Sequence, residues 1–278
     1  MKMKSICVAL AGFAVAAVAL PASAAIVYDG WQLNDGAGYL STNIGHLNLS
    51  GGMATVTQQL IGGQVVAGST FSESGTIYST SYTVENSPGP TDFGLPQNYT
   101  GNLAVQLLFP TLTGVVTSVN PSGFVTYAYN VPNTPVSMQV STNNGSTWNT
   151  VANLNVTWPS GGGIEPYLGG GLANGTTDML LTFDPVGYQS NLLNDSSGTS
   201  LDPLVNAVGG SQLQLFVHTQ NTVPTGAETI INGGADVQFT VNSDGSANLQ
   251  RVPEPASIFL TGIGLLGLGL GFARRRKM

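Results

Sequence analysis

The feature that most constrains the fold of this chain is the alternation of apolar and polar residues at every second position. The segments VTYAY at 125–129, VSMQVS at 136–141 and VQFTVN at 237–242 follow this pattern. Alternation that is rich in β-branched and aromatic residues is typical of strands with one buried face. We therefore predict an all-β body. Further apolar runs with the length of a strand lie at 103–109, 179–183 and 213–217.

Asn-Gly and Asp-Gly pairs predict tight turns between the strands, because such pairs tolerate the positive φ that hairpins need. We expect roughly twelve strands, packed as two antiparallel sheets in a β-sandwich or jelly-roll-like body. A short helix is expected after Asp202, with Pro203 at its first position and Gly209 as its stop. Segments 85–101 and 159–177, rich in Pro or Gly, are predicted as long loops, and a domain boundary could lie in either. The turn pairs are Asp29-Gly30, Asp35-Gly36, Asn144-Gly145, Asn174-Gly175, Asn232-Gly233 and Asp244-Gly245.

The N-terminus, residues 1–24, has the composition of a secretory signal peptide. Lys2 and Lys4 precede an apolar run at 6–20, and Ala-Ser-Ala at 22–24 predicts cleavage by signal peptidase before Ala25. The only cysteine, Cys7, lies inside this segment. The mature protein is therefore expected to have no thiol, which excludes disulfides and a cysteine nucleophile.

The body, residues 25–250, carries an unusual balance of charge. Of the 14 acidic residues in the chain, only Glu254 lies outside the body, whereas all 7 lysines and arginines lie outside it. A body without Lys or Arg cannot neutralise phosphates, so we expect no binding to nucleic acid. The composition indicates an acidic, soluble, secreted domain.

The C-terminus, residues 251–278, has three parts in a fixed order. A Val-Pro-Glu-Pro motif is followed by an apolar run at 256–273. As a helix this run would be about 27 Å long, at the short end of what crosses a bilayer. A basic cluster follows, which is costly to translocate and should keep that end cytoplasmic. The motif is Val252, Pro253, Glu254 and Pro255, and the basic cluster is Arg274, Arg275, Arg276 and Lys277.

This tripartite tail, about a tenth of the chain, resembles the PEP-CTERM sorting signal of Gram-negative bacteria. The resemblance implies that an exosortase, a membrane transpeptidase-like enzyme, recognises the tail and cuts the chain near the motif. The protein would be anchored transiently through the apolar run and then released or attached at the cell surface. The family is associated with exopolysaccharide, biofilm and floc formation. A plain C-terminal anchor is the alternative.

A second motif, STNNGSTW at 141–148, resembles the Asp-box, a hairpin signature of the form Ser-x-Asp-x-Gly-x-Thr-Trp. Asn stands where the signature has Asp, and Asn can cap a turn in the same way. The resemblance implies that the glycine permits the chain reversal and the tryptophan packs under a hairpin spanning 136–154. Its implied role is structural. The matching residues are Ser141, Asn143, Gly145, Thr147 and Trp148.

Groups suited to catalysis are scarce in the body. His46 and His218 are the only histidines, and each lies in an alternating segment where we expect it to face solvent. No Gly-x-Ser-x-Gly elbow is present. Carboxylates at 165–202 leave open a glycoside hydrolase or lyase, which would need two carboxyls facing each other across a sugar. These acids are Glu165, Asp178, Asp184, Asp195 and Asp202.

Two ligand types are considered for the body. The segment NSDGS at 242–246 places oxygen ligands at alternate positions, as calcium loops do, although a hairpin turn explains it without Ca²⁺. We otherwise expect no cofactor and no metal. Aromatic rings can stack on sugars, and Trp158 and Tyr167, in or beside a glycine-rich loop, are the candidate glycan contacts.

Together these features predict an exported, exosortase-processed protein of the cell surface or extracellular matrix. We expect a non-enzymatic structural or adhesion component of exopolysaccharide, biofilm or floc, with exopolysaccharide or other matrix proteins as partners. The alternative is a polysaccharide-active enzyme that uses the loop carboxylates.

Overall fold

The computed structural model describes residues 25–34, 40–84, 96–99, 103–143, 145–165, 173–224 and 228–252. Within them, Val27–Arg251 forms one compact unit. The predicted signal peptide, and the predicted tail from residue 253 onward, lie outside the described residues. Among the helices in the described ranges, none has the length and apolar character needed to cross a membrane.

The prediction of an all-β, antiparallel body is confirmed, since strands dominate and a single turn of α-helix occurs among the described residues. That helix, α1, spans Asp202–Val205. It begins at Asp202, one residue before the predicted start, and ends four residues before Gly209. The strands are β1 Ile26–Val27, β2 Trp31–Asn34, β3 Leu40–Gln59, β4 Thr70–Val84, β5 Pro96–Asn98, β6 Ala104–Val119, β7 Val125–Tyr129, β8 Val136–Ser141, β9 Asn149–Ile164, β10 Ala173–Asp184, β11 Leu193–Asn194, β12 Leu213–Val223, β13 Thr229–Ile231 and β14 Asp236–Arg251.

Hydrogen bonds join these strands into one sheet of 14 strands, whose path closes on itself. The path runs β3, β4, β6, then β7 and β8, then β9, β10, β12 and β14, and β14 pairs with β3. β7 and β8 both bridge β6 to β9, at opposite ends of these two long strands. We call these the β7 end and the β8 end of the ring. The described strands thus form one continuous sheet, and not the two separate sheets expected from the sequence.

Two predicted turns are wrong, because the glycines concerned lie inside strands. Asp244-Gly245 falls within β14, at a shift in its register with β3. Asn174-Gly175 lies in β10. A Cβ on Gly245 would lie 2.0 Å from the backbone oxygen of His218. Glycine is therefore used here for a close approach of two backbones rather than for a reversal of the chain.

The predicted loop at 159–177 is also wrong at both ends. β9 continues to Ile164 and β10 already begins at Ala173. A Cβ would lie 2.2 Å from the Tyr127 oxygen at Gly161 and 2.0 Å from the Thr176 oxygen at Gly162. The glycine run thus allows β7, β9 and β10 to pack closely. The other predicted loop, 85–101, includes the short strand β5.

The two ends of the ring enclose different interiors. At the β8 end the inward side chains are mostly buried and apolar and include six leucines, and β2, β11 and α1 close this end with Trp31, Leu33, Leu193 and Val205. At the β7 end several inward side chains are polar or aromatic. The leucines are Leu47, Leu107, Leu154, Leu181, Leu215 and Leu249. The polar or aromatic inward side chains of the β7 end include Glu73, Tyr127, Tyr129, Thr177, Asn221 and Ser243.

Candidate functional site

The Asp-box-like segment forms the turn between β8 and β9 at the β8 end. Asn143 Oδ1 accepts hydrogen bonds from the Ser141 hydroxyl at 2.8 Å and from the Thr147 N–H at 2.9 Å. The Gly145 N–H donates to Ser141 Oγ at 2.8 Å, and Gly145 has a φ of +80°. These bonds satisfy the turn locally, so the turn holds Trp148 in a defined position.

Trp148 lies beneath this turn and beside β4. A Cβ on Gly145 would lie 3.2 Å from Trp148 Cζ2, so the indole packs directly against the glycine. On its other side, the ring centroid of Trp148 is 5.9 Å from that of Tyr78, with 41° between the ring planes. Both rings remain partly exposed. Together they form an inclined aromatic pair on the outer surface.

The aromatic pair lines a cleft with a volume of about 580 Å³, within the range of small-molecule sites. The floor consists of buried residues, including Tyr99, and the edge carries the exposed polar side chains of Thr80 and Asn98. We call this the aromatic cleft. Its lining residues are Tyr78, Thr80, Asn98, Tyr99, Leu103, Ala104, Gly145 and Trp148.

Hydrogen bonds fix the phenols of the cleft. The Tyr99 hydroxyl lies 2.8 Å from Ser79 Oγ. Burial raises the pKa of Tyr99, although the bond with Ser79 opposes this shift, so the phenol stays neutral. The Tyr78 hydroxyl accepts a bond from Thr76 Oγ1 at 3.1 Å. The described lining residues of the cleft offer aromatic rings, hydroxyls and an amide, so this arrangement can stack on a ligand and hydrogen-bond it.

Of the two predicted glycan contacts, Trp158 is not among the lining residues of this cleft. Trp158 lies at a register shift between β9 and β10, and its side chain is 79% exposed. The Ser160 hydroxyl stabilises this register shift, because it donates a hydrogen bond to Thr157 O and accepts one from the Leu180 N–H. Trp158 is ten residues beyond Trp148, about 30 Å along an extended strand. Tyr167 lies outside the described residues.

The carboxylates suggested for catalysis are spread along the sheet. Asp178 and Asp184 both lie on β10, six positions and therefore about 20 Å apart, well beyond the roughly 5–9.5 Å that glycosidases use. Glu165 is exposed at the end of β9. The remaining acids hold turns: both oxygens of Asp202 accept from the Asn191 N–H, and bonds from Ser197 and Thr199 lower the pKa of Asp195.

Asp184 also supports local structure, since it accepts hydrogen bonds from Asn155 and from the Val186 N–H. The register therefore does not bring Asp178 and Asp184 into the facing arrangement that sugar hydrolysis requires.

His218 and Asp178 are hydrogen-bonded to each other on the outer face. His218 Nδ1 is 2.6 Å from Asp178 Oδ1, and the two side chains are 41% and 55% exposed. Ser246 is the neighbour of His218 across the β12–β14 pairing, so Ser, His and Asp stand in one row. The row lies on an outer strand surface, where the backbones of β10, β12 and β14 are paired with one another in the sheet. His46, the other histidine, is half-buried.

The segment considered for calcium is a stretch of β14. Asp244 Oδ1 accepts from the Gly51 N–H at 2.9 Å, and the Ser243 hydroxyl donates to Asn221 at 2.8 Å. These oxygens point to different partners rather than to a common centre. Within the described ranges, no group of three or more His, Cys, Asp or Glu residues could hold a metal ion.

Sequence reasoning missed the cleft because its residues come from separate strands. Tyr78 and Thr80 alternate with the buried Ser79 on β4, which was a signal for an outward-facing tyrosine. Tyr78 and Thr80 come to lie beside Trp148 only because β4 pairs with β6 and β6 pairs with β8. That pairing cannot be obtained from local spacing.

A comparison with protein-family models matches residues 251–277 to the PEP-CTERM protein-sorting motif. Comparison with curated proteins and with solved structures finds no match. The matched segment begins at Arg251, the last residue of β14, whose Nη2 donates to Gln212 Oε1 at 3.2 Å. The resemblance seen in the sequence is confirmed. The chain therefore carries a PEP-CTERM protein-sorting motif at residues 251–277, which makes it an exosortase-targeted, exported protein.

Proposed function

We propose that this exported protein is a non-enzymatic surface or matrix component that binds neutral carbohydrate in the aromatic cleft. The observation that carries the proposal is the inclined pair of Tyr78 and Trp148 beside Thr80 and Asn98. Rings of this kind can pack on the apolar faces of sugars, and neighbouring polar side chains can bond the hydroxyls. The binding surface is held by strands and by a hydrogen-bonded turn, which limits the entropy lost on binding.

Charge favours a neutral ligand over an anionic one. Residues 25–250 contain no Lys or Arg, and the net charge of the chain is −7. An anionic polysaccharide would meet like charge and no cation to pair with its carboxylates or sulfates. Neutral segments of an exopolysaccharide avoid this repulsion.

The sorting motif is consistent with this role. It places a protein of this kind outside the inner membrane, where extracellular polysaccharide is the abundant polymer. In this proposal the opposite walls of the ring pack as the layers of a sandwich, which presents the cleft on a stable surface. The protein would support biofilm or floc cohesion by binding polysaccharide at many copies of a weak site.

Binding is tested with two soluble polymers that share a backbone, hydroxyethyl cellulose and carboxymethyl cellulose, alongside the neutral and acidic fractions of the host exopolysaccharide. We expect affinity electrophoresis to show retardation by neutral polymers and weaker retardation by anionic ones. Release of reducing ends from any of these polymers would contradict a non-enzymatic role.

Sorting is tested separately by intact-mass measurement of the protein from its native host. We expect a product without Arg274–Lys277, and a Glu254→Ala variant that is not processed. A full C-terminus on the surface-exposed protein would contradict processing but would leave the carbohydrate proposal to be judged by binding alone.

A further inference from the structure

The interior of the β7 end contains a carboxyl group that the proposed function does not use. Glu73 is on the inner face of β4 and lines two adjoining cavities of about 70 Å³ and 20 Å³. The larger cavity has mostly apolar walls, including Phe71, Val116 and Phe239. We call the two cavities together the Glu73 chamber.

The other polar groups of the chamber bond one another. Asn221 Oδ1 accepts from Ser243 at 2.8 Å and from Thr219 at 3.0 Å, and its Nδ2 donates to Thr177 Oγ1 at 2.6 Å. Tyr127 shares a hydrogen bond with the same Thr177 oxygen. This network is satisfied internally, and it leaves these groups little capacity to bind a further partner.

Glu73 differs from this network. Its Oε2 accepts a hydrogen bond of 2.6 Å from the Tyr129 hydroxyl, which neutralises no charge. The chamber lining includes no Lys, Arg or His among the described residues. Arg251 bonds Gln212, and His218 pairs with Asp178 on the outer face. Among the described lining residues, no cation therefore faces this carboxyl, and an ionised carboxylate in such surroundings is costly unless it is paired.

Aromatic rings border the carboxyl. The Phe71 ring meets those of Tyr127 and Tyr129 edge to face, at centroid distances of 5.4 Å and 5.6 Å. Aromatic faces attract organic cations, most strongly where water is excluded. The chamber thus combines one unpaired acid, aromatic rings and apolar walls. Together the two cavities have a volume of about 90 Å³, which is room for about three water molecules or for one short alkylammonium ion.

From this combination we propose that the Glu73 chamber binds a small organic ammonium ion, with the ammonium at Glu73 and the alkyl part against Phe71 and Val116. The counter-cation that the described lining residues do not provide would then come from the ligand. This site is independent of the aromatic cleft, which lies on the outer face at the β8 end of the ring.

Three ligands of similar length test the proposal on the full processed protein: n-butylammonium, n-butanol and butyrate. We expect saturable binding of n-butylammonium by calorimetry, with n-butanol weaker by roughly tenfold for the loss of one charged contact, and no binding of butyrate. Equal binding of n-butylammonium and n-butanol, or no binding of n-butylammonium, would overturn the proposal without any variant.

Two variants then locate the site. Glu73→Gln keeps an acceptor for Tyr129 and should reduce the affinity for n-butylammonium to that for n-butanol. Asp178→Asn removes an acid from the outer face and should leave the affinity unchanged. If Glu73→Gln binds n-butylammonium as well as the wild type does, the cation is held elsewhere and the proposal fails.

Discussion

The β8 end and the β7 end of the ring are built from the same long strands, yet the two proposed binding sites lie on opposite faces of these strands. At the β8 end the interior is closed with leucine, and the aromatic rings stand outside, at Tyr78 and Trp148. At the β7 end the rings of Tyr127 and Tyr129 point inward, beside Glu73. The difference shows that strand alternation alone does not decide where a sheet can bind a ligand.

The physical cause is the size of the residues on the neighbouring strands. Beside Tyr127, β9 carries Gly161 and Gly162, whose missing side chains make room for the phenol and for close backbone packing. Beside Met138 at the β8 end, β9 instead carries Ala152 and Leu154, which fill the interior. A filled interior favours stability, and a partly open one admits polar groups and a ligand.

Truncation at the β8 end should give the largest effect on stability. Leu181→Ala removes a fully buried side chain from a closely packed interior and should cost about 2–5 kcal/mol in the free energy of unfolding. The adjacent Leu180 faces outward and is half-buried, so Leu180→Ala should cost clearly less. Urea unfolding measures the free energy of unfolding of both variants. Equal losses of stability would contradict the assignment of Leu181 to the buried face of β10 and Leu180 to its outer face.

Substitution at the β7 end should instead stabilise the protein at neutral pH. Burial raises the pKa of Glu73, and the bond from Tyr129 opposes only part of this shift. A carboxyl with a raised pKa in the folded state supports stability below its unfolded pKa and loses that support as the pH rises through the folded value. Tyr127 and Tyr129, the titratable neighbours, have raised pKa values and stay neutral over this range.

We therefore expect Glu73→Gln to be more stable than the wild type at pH 8 and to show less change in stability between pH 4 and pH 8. Denaturant unfolding at both pH values checks this in the absence of organic amines. The opposite result would be a wild type that becomes more stable relative to Glu73→Gln as the pH rises. That result would show that the Glu73 chamber already holds a compensating positive charge.

The turn above the aromatic cleft should give a smaller effect. Asn143→Ala removes the acceptor for the Thr147 N–H and for the Ser141 hydroxyl, and loss of such a cap costs about 0.5–2 kcal/mol. Asn143→Asp keeps the acceptor and is the matched control. If both variants unfold like the wild type, the turn does not depend on this side chain and the position of Trp148 has another cause.

The alternation of residues and the turn signals predicted many of the strands and the α-helix, because these elements depend on residues that are neighbours in the sequence. The alternation at 136–141 predicted a strand with Val136, Met138 and Val140 buried, and Pro203 marked the only α-helix among the described residues. The glycines at 161–163 were wrongly predicted to lie in a loop. A glycine that allows close packing within a strand cannot be told from a loop glycine by its neighbours in the sequence.

The sites were harder to predict because they form across strands. Glu73 shares its inward face with Phe71, so its position in the alternation was a usable signal. That no cation lies beside Glu73 among the described lining residues could be seen only once the pairing of all the strands in the ring was known. The aromatic cleft likewise joins Tyr78 to a tryptophan seventy residues later in the sequence.

The central claim is that the exported protein recognises carbohydrate outside the β8 end, through Trp148. The most direct test is the affinity of the processed protein for hydroxyethyl cellulose or the neutral exopolysaccharide fraction, measured for the wild type, Trp148→Ala and Trp158→Ala. We predict roughly tenfold weaker binding for Trp148→Ala, because a stacking ring is lost, and wild-type binding for Trp158→Ala. Wild-type binding by Trp148→Ala, together with loss of binding in Trp158→Ala, would contradict the account and move the site to the exposed bulge of β9.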